Sequence, residues 1–159
     1  MEKFEYIERL LMLAKMNFEY INIDAIFSDE SENYRNPVSP HKNEKVSVRI
    51  RTGKNDLDKV FVCFDGENYP MKIVKSEEYF DYYEGCFNCG EKKSNYYFIL
   101  NKKERVYYYN KQGLVKSVNS EYNFTVIPEF KTPDWAKGAV IYQILSLIHI
   151  SEPTRPISI

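Results

Sequence analysis

The sequence lacks the features that would assign it to an exported, disordered or membrane class. It has only three cysteines, too few for a disulfide framework, which suits a reducing compartment, so we expect the cytoplasm. Only six glycines and seven prolines argue against a low-complexity or disordered chain. The apolar runs are far shorter than the roughly 20 residues that span a bilayer. The start, MEKFEYIERLLMLAK, has glutamates ahead of its short apolar run and lacks the basic start and the small-residue cleavage site of a signal peptide, so we expect neither export nor a membrane partner.

An excess of one charge is also missing. The chain has 22 Lys and Arg against 23 Asp and Glu, for a net charge of -1. Because nucleic-acid affinity depends on a strong positive field, we expect no nucleic-acid partner. Aromatic residues are abundant instead, with 14 Tyr and 10 Phe in 159 residues, and this composition favours a packed, strand-rich fold.

Short segments of alternating polarity, separated by turn residues, follow one another from Asp24 onward. Such a pattern predicts an antiparallel sandwich or barrel. In the segment KVSVRIR, Val46, Val48 and Ile50 fall on one face and the charged residues on the other. Residues 28–45 are polar and contain two prolines, which predicts a long loop. The eight predicted strands are 25–27, 45–51, 59–64, 69–75, 79–86, 96–101, 106–110 and 123–127.

The chain divides into four predicted parts. Residues 1–15 show the apolar spacing of a short amphipathic helix, although an over-long start of the reading frame explains them equally well. Residues 16–128 form the predicted sandwich. Residues 129–144 contain Pro133 and a short apolar run, which predicts a linker into another domain. Residues 145–159 form a tail.

Two cysteines, Cys86 and Cys89, have the C-x-x-C spacing that serves zinc binding and dithiol chemistry. A tetrahedral zinc site needs two further ligands, and the other candidates are Cys63, His41 and His149. There is no second C-x-x-C pair, and residues 85–90 read as a turn. We therefore expect turn cysteines and no metal.

A tyrosine-rich segment, KKSNYYFILNKKERVYYYNK, covers residues 92–111. Aromatic residues interleaved with cations can stack on single-stranded nucleic acid, support the apolar faces of sugar rings, or form a core or a protein interface. Because side chains alternate along a strand, about half of these tyrosines must point into the sandwich. The role of the outward half stays open among these three interpretations.

Four acidic residues, Glu77, Glu78, Asp81 and Glu84, were examined as a general acid and base for glycoside hydrolysis. They lie beside strand positions that we expect to be exposed and have no evident partner. The pattern favours a solvated face, and we assign no catalytic residue.

One segment is specific to a known family. KTPDWAKGAVIYQI, residues 131–144, resembles the entry to the catalytic barrel of α-amylase-superfamily glycoside hydrolases in the neopullulanase, cyclomaltodextrinase and maltogenic amylase group. The resemblance includes Pro133, Asp134 and Trp135, followed by Tyr142 and Gln143 in the first barrel strand. Upstream, KVSVRIRTGKNDLDKVFVCFDG, EYFDYYE, NYYFIL and VYYYNKQGL are similar to the N-terminal starch-binding module of those enzymes.

The resemblance implies an all-β fold: an immunoglobulin-like antiparallel β-sandwich with a short N-terminal helix and a truncated start of a (β/α)8 barrel. It implies a non-catalytic module of an α-glucan-hydrolysing glycosidase, because the catalytic acids would lie beyond residue 144. Short α-glucans or cyclodextrins are the implied partners, with a homodimer and a possible calcium ion in the full-length parent and no cofactor in this chain. The candidate glucan or interface contacts are Tyr34, Tyr107, Tyr108 and Tyr109. The alternative is a free-standing sandwich that binds glucan or another protein.

The tail departs from that family. Residues 145–155, LSLIHISEPTR, resemble the translation of a transposon-end sequencing adapter rather than a continuing barrel. We therefore expect residues 145–159 to be an artefact and exclude them from the fold. His149 then has no function.

Overall fold

The computed structural model describes Arg9 and residues 21–130. This part of the chain contains ten strands and two short 3-10 helices, Ile23–Ala25 and Ser120–Tyr122. In the described residues, no helix has the length and hydropathy needed to cross a membrane. The strands are β1 Arg35–Asn36, β2 Lys45–Gly53, β3 Lys59–Phe64, β4 Glu67–Pro70, β5 Lys72–Ser76, β6 Phe80–Asn88, β7 Ser94–Lys102, β8 Arg105–Asn110, β9 Gly113–Val115 and β10 Phe124–Val126.

The strands form two antiparallel sheets, which confirms the predicted sandwich. One sheet has four strands in the order β1-β2-β6-β5. The other has six, in the order β4-β3-β7-β8-β9, with β10 pairing to the first residues of β7. Every strand pair is antiparallel.

The core lies between the sheets and follows the two-residue alternation of the strands. In β2, Val46, Val48 and Ile50 have no exposed surface, as their spacing predicts. Alternate residues of β7 face them from the other sheet, and Phe98 is also fully buried. Stacked aromatic rings fill the remaining space, with Phe64 and Phe87 at a centroid distance of 4.1 Å.

Most predicted strands are confirmed. The predicted strand 59–64 has the same first and last residues as β3. The prediction of one strand over 69–75 is wrong: β4 and β5 belong to different sheets, and the buried Met71 between them donates its backbone N–H to the Val60 carbonyl. The predicted strand at 25–27 is a 3-10 turn followed by a single bridge between Phe27 and Arg51. The predicted turn at 85–90 is wrong, because β6 continues to Asn88.

The short strands β1 and β9 were not predicted, and β1 interrupts the predicted loop at 28–45. Both have only two or three residues, too few to show alternation. The predicted N-terminal helix lies outside the described residues apart from Arg9. The predicted barrel strand and the tail also lie outside them.

Gly85 allows the two sheets to approach each other closely. A Cβ atom at this position would lie 2.7 Å from Met71 Cγ and 3.2 Å from Val62 Cγ1. We expect Gly85→Ala to lower the free energy of unfolding by about 2 kcal/mol, because an added methyl overpacks the core. Urea denaturation measures the effect.

Gly90→Ala is the matched control, since no atom lies within 4 Å of a Cβ there. This variant should change the free energy of unfolding by less than about 0.5 kcal/mol. Equal stabilities for the two variants would contradict the close packing at Gly85.

Candidate binding surfaces

The outer face of the four-stranded sheet carries a cluster of aromatic rings around an arginine. The rings of Phe27 and Tyr34 meet edge to face at 5.2 Å. The Arg51 guanidinium lies 5.7 Å from the Phe27 ring centroid and 4.5 Å from that of Phe80. Tyr82 is the cross-strand partner of Arg51 in β6. We call Phe27, Tyr34, Arg51, Phe80 and Tyr82 the aromatic strip.

The groups around the aromatic strip fix it in place. Arg51 Nε donates to the Ala25 carbonyl at 3.2 Å, and the Arg49 backbone N–H donates to the Tyr34 carbonyl at 2.8 Å. Partial burial raises the pKa of the Tyr34 phenol, so this hydroxyl stays protonated at neutral pH. These two hydrogen bonds hold the Arg51 side chain and the backbone of Tyr34 in place.

Polar groups continue along the same face. Arg49 Nη2 lies 2.8 Å from Glu84 Oε2. Tyr82 donates its hydroxyl to Glu77 at 3.3 Å, and the neighbouring hydrogen bond from Lys75 lowers the pKa of the Glu77 carboxyl. Aromatic rings can pack against the apolar C–H face of a sugar, and the neighbouring carboxylate and guanidinium groups can form hydrogen bonds with its hydroxyls.

The outer face of the six-stranded sheet is different, because it carries a row of apolar side chains. Cross-strand pairing places Phe61, Ile99, Tyr108 and Val115 in one row over four strands. All four are half-buried. We call these residues the apolar row. A row of this kind, without a charged residue, is suited to contact with another protein surface.

Tyr97 lies beside the apolar row and fixes Tyr108. The two rings meet edge to face at 6.0 Å. A hydrogen bond with the buried Cys63 raises the pKa of Tyr97 to about 12. Tyr97 therefore stays protonated at neutral pH.

The other two predicted tyrosines of β8 face the opposite way. Tyr107 packs against the core, and Tyr109 belongs to it with 8% of its surface exposed. The Tyr109 hydroxyl accepts the Ser28 backbone N–H at 3.2 Å. Their inward orientation confirms the predicted alternation of the tyrosines, and it leaves Tyr34 and Tyr108 as the outward pair.

Two predictions for the acidic residues are wrong. Asp81 is not on a solvated face: it is 1% exposed, and its carboxylate accepts the Asn55 backbone N–H at 2.8 Å and the Ser76 hydroxyl at 2.6 Å. Glu84 and Glu77 do have partners, as given above. Glu78 is exposed, as predicted. The buried Asp81 ties the turn after β2 to the end of β5.

The three cysteines do not form a cluster. Cys86 is half-buried within β6, whereas Cys89 is buried with its thiol 2.9 Å from the His41 carbonyl. Cys63 lies on the other sheet beside Tyr97. In residues 21–130, no group of three His, Cys, Asp or Glu side chains is placed to hold a metal ion. The barrel-entry residues Pro133, Asp134, Trp135, Tyr142 and Gln143, and also His149, lie outside the described residues.

Sequence reasoning missed Phe27, Arg51, Phe80 and Tyr82 as members of a surface. The alternation of side chains predicts an outward orientation for two of them. Arg51 follows the inward Ile50 in β2, and Tyr82 precedes the inward Tyr83 in β6. No signal in the sequence indicated that Phe27 and Tyr34 meet, since they come from a segment without regular structure.

Comparison with known proteins identifies the family. The alpha amylase N-terminal Ig-like domain matches residues 21–127, so the chain belongs to this family and its sandwich is immunoglobulin-like.

Relatives at the sequence level are α-amylase-family glycosidases. Neopullulanase 2 of Thermoactinomyces vulgaris is 30% identical over 137 residues, covering 77% of this chain and 23% of that protein. The maltogenic alpha-amylase of Bacillus acidopullulyticus is 26% identical over 141 residues, covering 76% and 23%. A solved cyclomaltodextrinase structure shares the fold with a TM-score of 0.59 at 21% identity, covering 76% and 23%. The chain thus spans about a quarter of the length of these relatives.

Proposed function

We propose that this chain is the N-terminal, non-catalytic module of a glycosidase that hydrolyses α-glucosidic bonds. The family match over residues 21–127 carries the proposal, because the same domain is a part of relatives named neopullulanase, maltogenic amylase and cyclomaltodextrinase. The catalytic acids of such an enzyme belong to a barrel that follows the module.

The parent protein, in this proposal, is cytoplasmic and acts on short α-glucans or cyclodextrins. Residues 129–144 are the linker and the truncated first strand of the catalytic barrel, and residues 145–159 are not its natural continuation. The parent is a homodimer and binds calcium outside the part described here. The substrate class, the homodimer and the calcium ion are implied by the family resemblance of residues 131–144 and of the upstream segments. The cytoplasmic location is expected from the low cysteine content, and the status of residues 145–159 from their resemblance to a translated adapter.

The module contributes a glucan contact through the aromatic strip. Phe27 is 40% exposed and shares an edge contact with Tyr34, so the two rings offer an apolar surface to the C–H face of a sugar. The Arg49–Glu84 pair on the same face supplies both a donor and an acceptor for sugar hydroxyls. A surface of this chemistry favours neutral glucans over charged ligands.

The second candidate function is a protein interface, and the apolar row favours it. Phe61, Ile99, Tyr108 and Val115 form a continuous apolar contact across the larger sheet. In this alternative the module acts as an arm that contacts another protein surface, and it needs no affinity for sugar.

Calorimetric titration of the 159-residue chain with β-cyclodextrin separates the two functions. We expect saturable binding in the millimolar range or tighter, and we expect Tyr34→Ala to weaken it by about tenfold because the edge contact with Phe27 is lost. Tyr108→Ala is the matched control, because it removes an outward tyrosine of the other sheet. It should leave affinity within about twofold.

The same titration can reverse the assignment. Absence of binding by the folded chain at millimolar β-cyclodextrin would contradict the glucan contact and favour the interfacial arm. Equal losses from Tyr34→Ala and Tyr108→Ala would contradict the placement of the contact on the aromatic strip.

A further inference from the structure

A pocket of about 540 Å³ lies where the described chain leaves the sandwich. Ser39 and His41 line it from the loop between β1 and β2, and two residues that follow β10, Glu129 and Phe130, line the other side. We call it the exit pocket. Its volume is within the range of pockets that enclose an organic group, and the function proposed above does not use it.

Hydrogen bonds fix the walls of the exit pocket. The Glu129 backbone N–H donates to the carbonyl of the fully buried Pro40 at 2.7 Å, which joins the two walls. The His41 backbone N–H donates to Glu44 Oε2 at 2.6 Å, and the His41 carbonyl accepts the Cys89 thiol at 2.9 Å. Because these bonds preform the walls, a group that enters the pocket loses little free energy to their reorganisation.

Exposed apolar side chains are concentrated at the exit pocket. The Phe130 ring lines the pocket and is 55% exposed. Val38 and Ile127, each within two residues of a lining position in the sequence, are 37% and 40% exposed. Apolar side chains gathered at one place on the surface indicate a contact site, because their burial by a further group is favourable.

The lining of the exit pocket combines aromatic rings with hydrogen-bond acceptors. Phe130 and His41 contribute the rings. Ser39 contributes a hydroxyl oxygen and Glu129 a carboxylate. The Glu129 carboxylate lies 3.7 Å from Lys42 Nζ, and since a carboxylate accepts several hydrogen bonds, this ion pair leaves room for a further donor. An indole satisfies both features, because it joins a large apolar ring to one N–H that needs an acceptor when buried.

The single tryptophan of the sequence, Trp135, follows Phe130 by five residues. Five residues of extended chain span at most about 18 Å, so the indole cannot move far from the exit pocket. This short tether gives the side chain a high effective concentration at the pocket. Pro133 lies within the tether and fixes one of its backbone angles, which lowers the entropy lost when the indole docks.

From these observations we propose that the indole of Trp135 packs in the exit pocket against the Phe130 ring, with its N–H donating to an oxygen of Ser39 or Glu129. The contact directs the chain away from the sandwich along one fixed path. It involves residues of this chain alone and does not depend on the activity of the parent. Its consequence for the parent, a fixed placement of the barrel relative to the module, rests on the proposed function.

Tryptophan fluorescence of the 159-residue chain tests the contact, because Trp135 is the only indole in the protein. We expect acrylamide to quench the native chain much less than the same chain unfolded in urea, and we expect native emission at a shorter wavelength. Equal quenching of the two states would overturn the proposal. Protection that disappears on dilution would also overturn it, because a second copy of the chain would then cover the indole.

Two variants locate the contact. Phe130→Ala removes the ring against the indole and should shift the ratio of docked to undocked indole about tenfold toward the undocked state, so that acrylamide quenching rises. Tyr79→Ala is the matched control. Tyr79 is 68% exposed and precedes Phe80, which pairs with Gly53 at the end of β2 remote from the pocket. It should leave the quenching unchanged, and equal quenching of the two folded variants would overturn the proposal.

A nuclear Overhauser measurement on the same chain locates the indole directly. We expect cross-peaks from the Trp135 ring protons to those of Phe130 or to the β-protons of Ser39. Cross-peaks only to residues outside the exit pocket would overturn the proposal. Failure here is distinguishable from failure of the proposed function, since an undocked indole leaves the family match of residues 21–127 intact, and sequencing of the source DNA tests the glycosidase separately.

Discussion

Replacing Phe98 with alanine is expected to lower the free energy of unfolding by about 4 kcal/mol, a large fraction of the stability of a domain of this size. Phe98 is fully buried and packs edge to face against Tyr96 and Phe124, at centroid distances of 5.8 Å in both cases. The truncation removes these ring contacts and leaves a cavity between the sheets. Urea denaturation of the variant, monitored by circular dichroism, measures the loss.

The neighbouring residue on the same strand provides the control. Tyr97 points to the outer face, so Tyr97→Ala should cost only about 1 kcal/mol. The two aromatic residues are adjacent in sequence and differ mainly in the face that they occupy. Equal losses of stability would contradict the assignment of the inner and outer faces of the larger sheet, and with it the identification of the apolar row.

A second large effect is expected from Arg35→Met. The Arg35 side chain is 9% exposed, and its Nη1 donates to the Thr125 carbonyl at 2.7 Å and to Glu30 Oε1 at 3.3 Å. Its Nη2 donates to the Val38 carbonyl at 3.1 Å. Methionine leaves these acceptors without the donor, so we expect the free energy of unfolding to fall by about 3 kcal/mol.

Arg49→Met is the matched control for Arg35→Met. Arg49 also pairs with a carboxylate, that of Glu84, but its side chain is 39% exposed. Since an exposed ion pair contributes little, the control should lose less than about 1 kcal/mol in the same urea experiment. A greater loss for Arg49→Met than for Arg35→Met would show that the buried arginine does not hold β1 against β10.

The main strands of the fold were predictable because their side chains alternate strictly. In β2, Val46, Val48 and Ile50 alternate with polar residues, and that period is enough to assign the inner face. The division of 69–75 into β4 and β5 was not predictable. Met71 leaves one sheet and the chain joins the other, a choice that depends on tertiary packing rather than on any local pattern.

The burial of Asp81 was predictable from the alternation of side chains in β6. It has the same parity as the inward residues Tyr83 and Phe87 of β6, so alternation alone places it inside. Its charge suggested the opposite face. The burial is possible because each carboxylate oxygen accepts a hydrogen bond, one from the backbone N–H of Asn55 in the turn after β2 and one from the hydroxyl of Ser76 at the end of β5.

The candidate surfaces were less predictable than the fold. Tyr34 could be selected as an aromatic residue in a polar loop, but its contact with Phe27 depends on the course of an irregular segment. The sequence did not indicate that a cleft lies at one end of the sandwich. Its walls come from the turns β2–β3, β5–β6 and β7–β8, which are distant along the chain. Alternation predicts which face a strand residue occupies, and it carries no information about how turns meet.

The central proposal is that the described sandwich is the N-terminal module of an α-glucan hydrolase and that residues 145–159 are not its natural continuation. The most direct test is to amplify and sequence the source DNA across codons 143–155. We predict that the reading frame continues from Gln143 and Ile144 into a catalytic barrel whose acidic residues can then be assigned. A frame that continues through Leu145 to Ile159 as written, and then stops, would contradict the claim.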